Sequence, residues 1–83
     1  MRFYLNMRLR GTLIDDPDGE EFASLAEARE EAVQSAREIM AEALKSGRPL
    51  GGWTFEISDD AGNVMLTLPF EEALPQAREH TLV

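Results

Sequence analysis

The chain reads as an α+β domain: a four-stranded antiparallel sheet in ββαββ order, with one long helix packed on one face. Three observations predict it. Residues 2–10 alternate apolar and polar, as a half-buried strand does. Residues 24–47 carry apolar side chains at helical spacing between two marked ends. Residues 53–58 and 63–68 alternate again on either side of an Asp-Asp-Ala-Gly turn. Two hairpins joined by a helix bury the most apolar surface when the helix lies across one sheet face.

In the first strand Phe3, Leu5, Met7 and Leu9 share one face, and Arg2, Tyr4, Asn6, Arg8 and Arg10 the other. Gly11 ends it. Thr12, Leu13 and Ile14 form a short second strand. Asp15-Asp16-Pro17-Asp18-Gly19 is turn chemistry, because Pro fixes φ and Gly accepts a positive one. Glu20-Glu21-Phe22 is a short extended entry to the helix, with Phe22 capping one end of the core.

The helix spans Ser24–Ser46. Ser24 with Glu27 makes a capping box, and Glu27, Glu30 and Glu31 suit the positive end of the macrodipole. Lys45 suits the other end, Gly47 provides a left-handed stop, and Pro49 forbids continuation. Leu25, Ala28, Ala32, Val33, Ala36, Ile39, Met40, Ala43 and Leu44 fall on one stripe. Its alanines permit close approach to a sheet. The opposite face is acidic, which speaks against a membrane-surface helix.

After the irregular Arg48–Gly52 return, Trp53, Phe55 and Ile57 face the core in the third strand, and Val64, Leu66 and Leu68 in the fourth. Pro69 ends that strand, and Phe70 folds back on the core. The domain is expected to cover residues 1–74, with 75–83 a mobile tail that has little to bury.

With 83 residues there is room for one small domain. Cysteine is absent, which excludes disulfides and thiolate metal sites. The formal charge is −8, with eight acids against one Arg in residues 15–31 and three Arg with no acid in residues 1–14. Such a chain is a poor partner for phosphates and anionic lipid, so neither nucleic acid nor membrane is expected. The start MRFYLNMRLR has no signal-peptide pattern, and the expected compartment is a cytoplasm.

Chemistry-bearing motifs fail on inspection. An EF-hand with Gly19 sixth would need acids where Ile14 and Leu25 stand. With Gly62 sixth, Ile57 stands first. Paired carboxylates lie on turns or a solvated helix face, where nothing moves a pKa toward neutrality. The sole histidine, His80, lies in the tail. Gly51-Gly52 enters a strand rather than a helix and is no phosphate loop. The reading is a non-enzyme without catalytic residues, metal or cofactor. Its candidate interaction surface is Arg2, Tyr4, Asn6, Arg8 and Met65 on the uncovered sheet face. Aromatic, methionine and arginine residues are enriched at interfaces. A homodimer and an unidentified protein partner are the expected partners. Arg–Glu pairs across strands, such as one to Glu56, are the plain structural role of the arginines.

Asp18-Gly19-Glu20, the Leu25–Ala32 helix start, Gly47-Arg48-Pro49-Leu50, Trp53 and Asp60-Ala61-Gly62 carry a family resemblance. From about Arg2 to Leu74 the chain resembles a family of small alphaproteobacterial proteins, common in rhizobia, defined as a domain of unknown function. The resemblance implies a fold and no mechanism. The family's first strand is aromatic-rich and followed by Asp-Gly. Leu9-Arg10-Gly11 departs from that, so the first hairpin is expected to differ in detail. A looser similarity is to bacterial Hic-type antitoxins, which also run through short strands into an alanine- and glutamate-rich helix. Their Pro-Asp-Leu-Pro-Gly-Cys segment is absent here. That similarity implies an alternative: a module binding a toxin or nucleic acid through the Arg-rich first strand.

Overall fold

The computed structural model describes residues 1–49 and 51–75. His80 and the rest of the expected mobile tail beyond Pro75 lie outside the described residues. The strands are β1 (Arg2–Leu9), β2 (Thr12–Ile14), β3 (Glu20–Glu21), β4 (Trp53–Ser58) and β5 (Val64–Pro69). The helix α1 (Leu25–Lys45) lies between β3 and β4, and a 3₁₀ turn, Phe70–Ala73, follows β5. The sheet is antiparallel in the order β2-β1-β4-β5, with β3 also against β1.

The α+β class and the single helix are as read from the sequence, but the sheet has five strands rather than four. The addition is β3, read above as an extended entry to the helix. Its partners are set by β1, whose first residues extend past the reach of β2. Arg2 and Phe3 pair with Glu21 and Glu20, and the Phe22 N–H donates to the Met1 carbonyl at 2.7 Å. The Arg2 guanidinium meets the Glu21 carboxylate at 3.3 Å. Between β2 and β3 the Asp16 carboxylate takes the place of a strand, accepting the Leu5 N–H at 3.2 Å.

Helix α1 begins as its sequence requires. The Ser24 hydroxyl accepts the Glu27 N–H at 3.2 Å, while the Glu27 carboxylate accepts the N–H of Ala23 at 2.8 Å, one residue before the cap. Its end is a Schellman motif: Gly47 sits at φ +74°, its N–H donates to Leu44, and the Arg48 N–H donates to Ala43. Ala28, Ala32, Ala36, Met40 and Ala43 are buried. Leu44, placed on the stripe by periodicity, is 69% exposed, at the last turn of α1 beside Leu74 and Pro75. Ile39, on the opposite flank, is half-buried and packs against the core. There α1 leans away, toward the 3₁₀ turn and β5, so its β2-facing flank has little above it. Arg37 fixes this placement, its Nε donating to the Ala73 carbonyl at 2.7 Å.

The core joins Phe3, Phe55, Ile57, Leu68, Phe70 and the helix alanines, closed at one end by Phe22. Phe70 turns back under α1, its ring 4.9 Å from Phe55 and edge-on to Trp53 at 5.5 Å. The β4–β5 register breaks after Ile57. Ile57 pairs with Leu66, but Ser58 pairs with Val64, so Met65 is an extra residue in a β-bulge. Val64, assigned inward by alternation, is therefore 54% exposed.

Candidate interaction surface

The outer face of the sheet is built by the even-numbered residues of β1 and β4. Tyr4 stands opposite Ser58, Asn6 opposite Glu56 and Arg8 opposite Thr54. Each is held by a partner. The Tyr4 hydroxyl donates to Asp60 at 3.2 Å. The Asn6 amide donates to Ser58 Oγ at 2.9 Å, and its oxygen accepts the Asp16 N–H at 2.9 Å. The Arg8 Nε meets Glu56 at 2.7 Å, a diagonal cross-strand pair, and a second nitrogen reaches the Gly11 carbonyl at 3.3 Å. That pair is part-exposed, so solvent screens it and it positions the two side chains more than it stabilises the fold. Glu56 holds the Arg8 pKa above its ordinary value, through the hydrogen bond first and its charge second. Partial burial, then the bond to Asp60, raises the Tyr4 phenol above its ordinary value and keeps it neutral.

Tyr4 and Asn6 come together in one open cleft of about 450 Å³, walled by Asp15–Pro17 on one side and Asp59–Gly62 on the other. Leu13 and Val64 supply its apolar parts. Arg2 sits at the β3 end, Arg8 beyond Glu56, and Met65 at the β5 bulge, 49% exposed, none of them in the cleft wall. Val64 and Asp60 were missed as members of this surface. Unbroken alternation from Val64 to Leu68 hides the bulge. No spacing rule brings Asp60 to a tyrosine 56 residues away.

Two carboxylates of the acidic turns, Asp16 and Asp59, are taken up by main-chain N–H groups. Asp16 accepts the Leu5 and Gly19 N–H groups. Asp59 accepts the Ala61 and Asn63 N–H groups at 3.0 and 2.9 Å. The described residues contain no group of three or more His, Cys, Asp or Glu arranged to hold a metal. The Asn63 main-chain bond chiefly lowers the Asp59 pKa from its model-compound value of 3.8, with partial desolvation opposing. A carboxylate with a depressed folded pKa stabilises the fold above its unfolded pKa and loses that contribution as pH falls through the folded one. An Asp59→Asn variant is therefore expected to unfold at lower urea than wild type at neutral pH. The gap between the two should narrow as the pH is taken below about 4. Paired urea titrations at pH 7 and pH 3 check this; a gap independent of pH would assign the loss to shape rather than charge.

Fold and surface together define a small α+β domain with one sheet face under a helix and the other facing solvent over an acidic-walled cleft. The chain belongs to the family described as Domain of unknown function (DUF6894), whose model matches residues 2–71. No curated protein and no solved structure matches it. Among the described residues, no helix is long and apolar enough to cross a membrane.

Proposed function

We propose that the protein is a small non-enzymatic interaction or regulatory module that works as a homodimer and engages a further protein through its outer sheet face. An alphaproteobacterial cytoplasm, as the family resemblance implies, is its setting. One observation carries the reading. The helix covers one sheet face, while the other leaves Tyr4, Leu13, Val64 and Met65 among polar groups with no element of the described chain over them. Polar groups interspersed with an aromatic and a methionine suit a surface that stays soluble alone and closes on a partner.

The non-enzymatic part of the proposal is supported by how the polar groups are used. Asp16 is taken up by the main chain of β1 and of its own turn, and Asp59, Glu27 and Glu56 by a turn, a cap and an ion pair. A general base must instead face a substrate with a shifted pKa. The antitoxin-like alternative loses support from two of the three arginines: Arg2 is paired with Glu21 and Arg8 with Glu56, which leaves Arg10 as the one first-strand arginine without an ion pair among the described residues.

Sedimentation velocity over a wide concentration range tests the dimer. The expected result is a weight-average mass that rises from monomer to dimer. A protein that stays monomeric at high micromolar concentration removes the homodimer from the reading.

A further inference from the structure

The edge of β2 carries Arg10-Gly11-Thr12-Leu13-Ile14-Asp15-Asp16: a cation at one end, apolar residues in the middle, acids at the other. We propose that this edge pairs antiparallel with the same edge of a second copy, about a two-fold axis through Leu13, joining two sheets into one. The inference rests on the homodimer reading above and gives that dimer a place and a register.

Among the described residues β2 pairs with β1 alone, and all three of its residues are exposed. Leu9 and Thr12 flank the two-residue loop Arg10-Gly11, both of whose residues have positive φ, 53° and 89°. Such a loop is closed by a hydrogen-bonded pair. Pairs alternate along an antiparallel ladder, so Arg8 and Leu13 are the non-bonded pair and the Leu13 N–H and C=O point away from β1. Two Leu13 residues meeting across a two-fold axis exchange both of those bonds.

The register then follows from counting. Thr12 faces Ile14 of the second copy, Gly11 faces Asp15, and Arg10 faces Asp16. Antiparallel pairing brings the unlike ends together twice, whereas parallel pairing would set like charge on like. Arg10 makes no ion pair among the described residues, and Asp15 accepts no hydrogen bond there. Asp16 is already held by Leu5 and Gly19. Arg10 stands in the loop, outside the pleat and with its stem beside Gly52. Its head is therefore not tied to the Asp16 face and turns to the free carboxylate of the adjacent Asp15. The net charge of −8 opposes self-association at long range, but charges farther apart than about 8 Å are screened at physiological ionic strength, and contacting pairs are not.

The apolar surface agrees. Leu13 and Ile14 are 41% and 45% exposed on opposite faces of one strand. Ile14 borders a groove with Leu5, Met7 and Ile39 on the flank that α1 leaves open. The proposed axis runs perpendicular to the sheet, so both helices stay on one side. The two grooves join there, with each Ile14 against the other copy's Thr12.

Sedimentation equilibrium of the full chain tests this with Arg10→Asp, Asp15→Arg and the double variant. Asp tolerates the left-handed backbone at position 10. Each single reversal is expected to weaken the dimer by about tenfold or more, and the double variant to restore it within a few-fold. Leu13→Pro removes the outward N–H but no β1–β2 bond. It is expected to be monomeric, with a wild-type circular dichroism spectrum confirming that it folds. A double variant as weak as the singles overturns the register. A dimer indifferent to all four but dissociated by Tyr4→Glu or Met65→Glu overturns the edge and leaves the homodimer reading standing. A wild type that never dimerises overturns both.

Discussion

Phe70→Ala is expected to leave the protein largely unfolded at room temperature. Phe70 is 1% exposed, and its ring is packed between Phe55 and Trp53 beneath α1. Removing a buried phenylalanine costs about 3–5 kcal/mol, the lost transfer energy plus the cavity left behind. A domain of 83 residues with no disulfide has roughly 5 kcal/mol in all. The loss also reaches past the cavity. Phe70 anchors the 3₁₀ turn on which α1 leans, and the Ala73 carbonyl that receives Arg37 belongs to that turn. Far-ultraviolet circular dichroism and urea titration are the measurements. Phe70→Leu, which keeps most of the volume, should retain a cooperative transition at reduced urea. A Phe70→Ala protein within about 1 kcal/mol of wild type would show that the turn is peripheral to the fold.

Gly19→Ala is the second large effect, and its size is predicted against a control. Gly19 lies at φ +65°, and a Cβ there would sit 2.9 Å from the Phe3 carbonyl oxygen and 2.8 Å from the Tyr4 ring. The left-handed backbone costs an L-residue about 1–2 kcal/mol, and forcing a group into occupied space adds about 1–3 kcal/mol. The carbonyl belongs to β1 and cannot swing away. Gly47 has a similar φ of +74° with nothing within 4 Å of its would-be Cβ, so Gly47→Ala should show the backbone cost alone. Urea midpoints of the two variants separate the terms. Equal midpoints would mean that β1 and the 15–19 loop move apart at little cost, and the acidic cleft wall would then be compliant rather than fixed.

Much of this molecule is legible in its residues. Ser24, Glu27 and Gly47 mark helix ends through local hydrogen bonding, which a chain carries with it wherever the helix packs. Alternation in β1 and β4 gives the right faces, because those strands pair without interruption over Tyr4–Leu9 and Trp53–Ser58. The Arg8–Glu56 pair was within reach of the same argument, although its diagonal geometry follows from the register.

What periodicity misassigned has separate causes. Leu44 lies on the apolar stripe, yet a stripe records only that one side of a helix is apolar and not how far a neighbour extends along it. Leu44 stands at the last turn beside Leu74 and Pro75 and is 69% exposed. Val64 fails for a different reason: a bulge inserts one residue into a ladder, and nothing in a strictly alternating segment announces it. β3 fails because two residues are too few to carry a period. They pair because β1 has backbone groups left over.

The class of fold, the helix with its ends, the inward faces of β1 and β4 and the acidic balance of the surface are written into local residue patterns, since each depends on residues close along the chain. The fifth strand, the bulge at Met65, the offset of α1 toward the 3₁₀ turn, and the meeting of Tyr4 with Asp60 arise only in the folded molecule. Those depend on which distant segments share space, and that is set by packing the whole core at once.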